Sequence, residues 1–88
     1  MPDIRILVVD DNPANLKLAG RVLESDGYQV IQAISAEAAL PQIRELPPDL
    51  ILMDIQLPGM DGLTLTRLLK ADPATKSIPV IEIGRAHV

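Results

Sequence analysis

The chain has 88 residues, 48% of them hydrophobic and 23% charged, with a formal net charge of −4 and no cysteine. One small domain fits that length, and with Tyr28 as the single aromatic residue its core must be aliphatic. Singly scattered lysines and arginines argue against direct nucleic-acid binding, the lack of cysteine excludes disulfides and thiolate chemistry, and no apolar run approaches the ~20 residues of a membrane-spanning helix.

The opening "MPDIRILVVDD" lacks the layout of a signal peptide, so a cytoplasmic domain is expected. Ile4–Val9 is a short β-branched run and reads as a strand buried on both faces. A helix follows, with Asn12 as cap, Pro13 in its first position, Gly27 just past its end, and Leu16, Ala19, Val22 and Leu23 as its apolar face. Tyr28–Ala33 is a second strand. "SAEAALPQIREL" is a second helix, capped by Ser35, with Leu40, Ile43 and Leu46 inward. Pro41 sits inside it, where a proline costs about 3 kcal/mol, so a kink or a late start is expected. Leu50–Met53 forms a third strand, "GLTLTRLLKAD" a third helix with Asp61 before it and Leu65, Leu68 and Leu69 inward, and Ile78–Ile81 a fourth strand. Short apolar strands alternating with amphipathic helices indicate an α/β fold, a doubly wound parallel sheet.

In such a sheet the carboxyl ends of the strands share one edge, and ligands bind there at the point where strand order reverses. Asp10 and Asp11 close the first strand and Asp54 closes the third. Adjacent strands would bring three carboxylates into one cleft. Their mutual repulsion calls for a hard divalent cation with oxygen ligands, for which Mg²⁺ is suited. An aspartate beside such an ion can act as nucleophile toward a phosphoryl group. The turn after Asp54, "LPGMDG", wraps the cleft, Pro58-Gly59 fits the middle of a type II turn, and the backbone carbonyl of Gln56 is placed to be a further metal ligand. Acidic pairs before helices are often mere caps. Asp54 and its loop in register weigh against that reading here.

"ILVVDDNPAN" resembles the first strand and acidic pair of the receiver domains of two-component response regulators. "PDLILMDIQLPGMDG" resembles their phosphoacceptor strand and loop, and "IPVI" their fourth strand. The resemblance covers about residues 4–81. It implies a flavodoxin-like (CheY-like) fold and a phosphoryl group accepted on Asp54 from a phosphohistidine on a sensor histidine kinase or histidine phosphotransfer domain. It also implies Mg²⁺ held directly by Asp11, Asp54 and the Gln56 carbonyl, with Asp10 acting mainly through water.

The family's pattern continues with a threonine or serine, which here falls at Gly84, then a helix, a fifth strand ending in lysine and a last helix, none of which has a counterpart. The expected sheet is therefore 2-1-3-4, without the fifth strand and last two helices. Lys70 and Lys76 lie elsewhere in the pattern. From Glu82 onward the fit is poor, and Ile83–Val88, "IGRAHV", matches one reading frame of a common sequencing adapter that ends there in a stop codon. Residues 1–81 are thus expected to form an incomplete receiver and residues 82–88 a non-native tail. An exposed fourth strand would leave the chain destabilised and prone to self-association.

Two competing readings are weaker. A haloacid-dehalogenase-type phosphatase wants Asp-x-Asp after its first strand, whereas Asp10-Asp11 and Asp54-Ile55-Gln56 stand here. A pseudo-receiver, a binding module that takes no phosphate, would explain the missing threonine and lysine but not the intact acidic pair. His87, alone near the chain end, is read as neither phosphodonor nor ligand, and Met53 as core.

Overall fold

The computed structural model describes residues 4–54, 57 and 59–83. In chain order these form β1 (Arg5–Val9), α1 (Pro13–Ser25), β2 (Gln29–Ala33), α2 (Ala36–Glu45), β3 (Leu50–Asp54), α3 (Gly62–Ala71) and β4 (Val80–Ile83). The strands make one parallel sheet in the order β2-β1-β3-β4, the expected topology.

Each helix begins where its cap residue dictates. Asn12 accepts from the Ala14 N–H at 2.9 Å with Pro13 behind it, Ser35 Oγ accepts from Ala38 at 3.0 Å, and Asp61 accepts from Thr64 at 2.8 Å. After α1 the chain turns through Gly27, whose φ of +93° suits glycine. α2 starts directly after its cap and runs through the exposed Pro41 rather than starting late.

Alternation along the strands sends Leu7, Val9, Ile51 and Met53 to one face, where α2 and α3 cover them with Ala36, Ala39, Ile43, Leu65 and Leu69. Ile6 and Val8 point to the other face, where Leu16 of α1 covers them. The two faces are unequally dressed. Leu18 and Val22 on α1 remain 64% and 55% exposed, and with Leu52 and Ile83 they line an open groove of about 410 Å³.

Three side chains read as inward depart from expectation for this kind of reason. Val22 faces the open groove, and Leu46 and Leu68 are 57% and 43% exposed because no described element covers them; Leu40 is half-buried and packs against the core as expected. Helical spacing identifies an apolar stripe, but a neighbour must cover it. The fourth strand also differs: it runs over Val80–Ile83 rather than Ile78–Ile81. Pro79 contributes its carbonyl to Ile51 N–H at 3.0 Å, and the ladder then continues through Glu82 and Ile83, opposite Met53 and Asp54.

The segment between α3 and β4 is stapled from within. Thr75 is buried and its Oγ1 donates to the Leu69 carbonyl at 2.7 Å. Lys70 Nζ donates to the carbonyls of Lys76 and Ile78 at 3.1 and 2.8 Å.

Candidate functional site

β1 and β3 are neighbours, paired from Ile6↔Leu50 to Val9↔Met53. Asp10 and Asp54 each stand one residue beyond the last of these pairs, so the ladder itself brings them side by side at the point where strand order reverses. Asp10 is held three ways. Its N–H donates to the Ala33 carbonyl at 3.1 Å, its Oδ1 accepts from Asn12 N–H at 2.9 Å, and its Oδ2 accepts from Asn15 Nδ2 at 3.2 Å. Asp11 is exposed at the mouth, whereas Asp54, the last residue of β3, is only 6% exposed.

One carboxylate oxygen from each of Asp10, Asp11 and Asp54 lies within 4.8 Å of the other two. The structure thus places in one cluster the three acids singled out in the sequence. A cavity of about 190 Å³ opens beside Asp10 and Asp54, walled by Asn15, Leu52 and Ile83. An all-oxygen donor set of carboxylates, part buried and part solvated, matches the demands of a small hard cation such as Mg²⁺ and not of a soft metal. The Gln56 carbonyl, expected as a further ligand, lies outside the described residues, as do Pro58, Gly84 and His87.

Of the loop that follows Asp54, Leu57 is buried in the core and Gly59 has φ of +70°, the left-handed value a type II turn needs at its third position. Asp61 then caps α3. The Thr64 backbone N–H, above all, holds the Asp61 carboxyl below its ordinary pKa. A lowered folded value means that its stabilising contribution is complete above the ordinary aspartate range, roughly pH 4, and is lost as pH falls through the folded value. Asp61→Asn keeps a capping oxygen without the charge. It is expected to flatten the acid side of the melting temperature against pH, followed by circular dichroism, and an unchanged slope would contradict this.

Two features of the site were not read from the sequence. Asn15, five residues beyond Asp10, orients its carboxylate; the i to i+5 spacing across a helix start was the available signal. Ile83, assigned to the tail, walls the cavity because β4 carries on past Ile81. Lys70, bonded to carbonyls after α3, takes no part in the acidic cluster.

Comparison with known proteins agrees with this geometry. The sequence model for the response regulator receiver domain matches residues 6–87. The chain is 47% identical over 79 residues to the response regulator PleD of Caulobacter vibrioides, covering 90% of this chain and 17% of that protein. It is 46% identical over 78 residues to the polar-differentiation response regulator DivK of Brucella ovis, covering 89% of this chain and 63% of that protein. The crystal structure of the N-terminal domain of a response regulator receiver protein from Methanoculleus marisnigri JR1 superposes with a TM-score of 0.86 at 44% identity, over 89% of this chain and 63% of that one. The chain thus spans less than two thirds of the length of these curated relatives. Strand order, acidic cluster and sequence similarity agree: the chain belongs to the response regulator receiver domain family, whose members are signalling domains.

Proposed function

We propose that this chain acts in two-component phosphorelay signalling by accepting a phosphoryl group on Asp54 from a phosphohistidine of a sensor histidine kinase or histidine phosphotransfer domain. The observation that carries the reading is the convergence of Asp10, Asp11 and Asp54 within 4.8 Å, with Asp54 the buried member at a strand end. Asp10, Asp11, Asp54 and the Gln56 carbonyl would hold Mg²⁺, which when bound offsets negative charge on the phosphoryl oxygens.

The chain's own residues supply the rest. A carboxylate oxygen of Asp54 attacks phosphorus, the P–N bond to imidazole breaks, and its electron pair stays on the ring nitrogen. The product is an acyl phosphate on Asp54. β3 places Asp54 at the strand end, and the Asn12 N–H and Asn15 Nδ2 hold the Asp10 carboxylate in place beside it. A cytoplasmic setting fits this chemistry. The test is phosphoryl incorporation by the wild-type chain against Asp54→Asn.

A second reading, a pseudo-receiver or inactive fragment that serves only as a protein-binding module, draws on Ile83, which sets an apolar side chain in the cavity wall opposite Asp54. Residues 82–88 belong with it as a non-native tail on a receiver portion of residues 1–81; the same codons in an intact genomic copy of the gene would refute that assignment.

Self-association through β4 is part of the proposal. β4 is an edge strand, and Ile81 and Ile83 on it are 51% and 52% exposed. Sedimentation velocity is expected to show a weight-average mass that rises with concentration in the micromolar range. A concentration-independent monomer would count against it.

A further inference from the structure

We infer that Glu37 is a positioning residue for the loop that follows the phosphoacceptor. Its carboxylate stands in the first turn of α2, where the ordinary explanation of an acid is its attraction to the helix N-terminus. Two observations go beyond that explanation. Glu37 Oε2 accepts a hydrogen bond from the Met60 N–H at 3.2 Å, across a sequence separation of 23. The same oxygen also lies where Gly59 leaves room for it: a Cβ at Gly59 would come within 2.5 Å of Oε2. Gly59 therefore answers two requirements at once, a φ of +70° and the close approach of a carboxylate from another element.

The consequence lies in how the loop is held. At its start Asp54 is fixed by the β3–β4 ladder, opposite Ile83. Between the ends Leu57 is buried in the core. At the far end Met60 is tied to α2 by Glu37, and Asp61 then begins α3. Glu37 does not touch the acidic cluster. It acts on the described end of the loop, Gly59 and Met60, and through that end on how firmly the loop after Asp54 serves a cation held by the acidic cluster.

This role rests on the metal-assisted reading above, so its test has one arm that needs no metal. The amide of Met60, followed by hydrogen exchange in NMR spectra of the metal-free chain, is expected to be protected in the wild type. It should exchange roughly 3- to 10-fold faster in Glu37→Ala, the change expected for one hydrogen bond of ordinary strength. Glu37→Gln, which keeps an acceptor oxygen, should retain most of the protection. The second arm is Mg²⁺ affinity by titration calorimetry, expected to weaken by a similar factor in Glu37→Ala and to recover in Glu37→Gln. Ser35→Ala, which removes the α2 cap without touching the tether, should lower the melting temperature and leave Mg²⁺ affinity in place.

Unchanged Met60 exchange in Glu37→Ala would overturn the inference. So would an equal loss of Mg²⁺ affinity in Ser35→Ala, because α2 stability alone would then account for the effect. Met60 exchange that responds to Glu37 in a chain that binds no Mg²⁺ would uphold the tether and overturn the metal-assisted reading instead.

Discussion

Asp54→Asn should abolish the single phosphoryl adduct that a small-molecule phosphodonor and Mg²⁺ leave on this chain. An amide is nearly isosteric with the carboxylate and preserves β3, but its oxygen carries no formal charge and is a far weaker nucleophile. The neighbouring acids are poor substitutes. Both oxygens of Asp10 already accept hydrogen bonds, from Asn12 and Asn15, and Asp11 stands exposed at the mouth of the cleft. We expect a loss of at least about 100-fold in labelling rate, at the low end of what a positioned catalytic group contributes. Intact-mass analysis reads it directly, with a metal-free sample as the second control. Equal labelling of Asp54→Asn would move the acceptor to another residue and sink the assignment. No labelling of the wild type would favour the binding-module reading, and fusion of a family-like C-terminal portion after Ile81 would then separate a silent fragment from a true pseudo-receiver.

The second large effect is on stability. Three carboxylates with oxygens within 4.8 Å repel one another; each pair at that distance costs about 0.9 kcal/mol in a water-like medium and about 3.5 kcal/mol at an effective dielectric of 20. Asp11 is exposed, so the lower figure applies to its pairs. Without metal, Asp11→Asn relieves two such pairs and should therefore raise stability by roughly 1–2 kcal/mol. Mg²⁺ at a hundred times its dissociation constant should stabilise the wild type by about 2.7 kcal/mol. In a domain of this size that is a shift of roughly 10–20 °C in melting temperature. The two chains should thus change rank: Asp11→Asn melts higher without Mg²⁺ and lower with it. Thermal melts of both, with and without Mg²⁺, check this, and a wild type indifferent to Mg²⁺ would refute it.

Much of this fold could be read because each local signal had one physical meaning. The run Ile6–Val9 is buried on both faces, as a continuous β-branched strand between two helical layers must be. Asn12, Ser35 and Asp61 all cap as their side chains dictate. The acidic cluster was legible for the same reason, since a parallel sheet leaves its strand ends on one edge and the register does the rest. What could not be read was set by tertiary contact. Val22 and Leu68 have the helical spacing of core residues, yet burial depends on whether another element arrives to cover them. The extent of β4 was misjudged because a backbone ladder takes little notice of side chains: Glu82 and Ile83 pair with Met53 and Asp54 despite their poor fit to the family pattern. Glu37 was out of reach because its partner lies 23 residues away on a loop.

The placement of Asp10 just past β1 and of Asp54 at the end of β3 has a consequence for how the domain comes apart. These are the two strands with a neighbour on each side. Fluctuations that release only part of a structure begin where few bonds must be broken, at edges and thinly covered faces. Here those are β2, β4 and the outer flank of α1. An excursion that frees α1 or β4 leaves the Val9↔Met53 pairing intact, and with it the backbone spacing of the strand ends that carry Asp10 and Asp54, while the carboxylates lose the contacts that orient them. The frame of the site thus belongs to the last part of the molecule to melt, and the aim of its side chains to an earlier part.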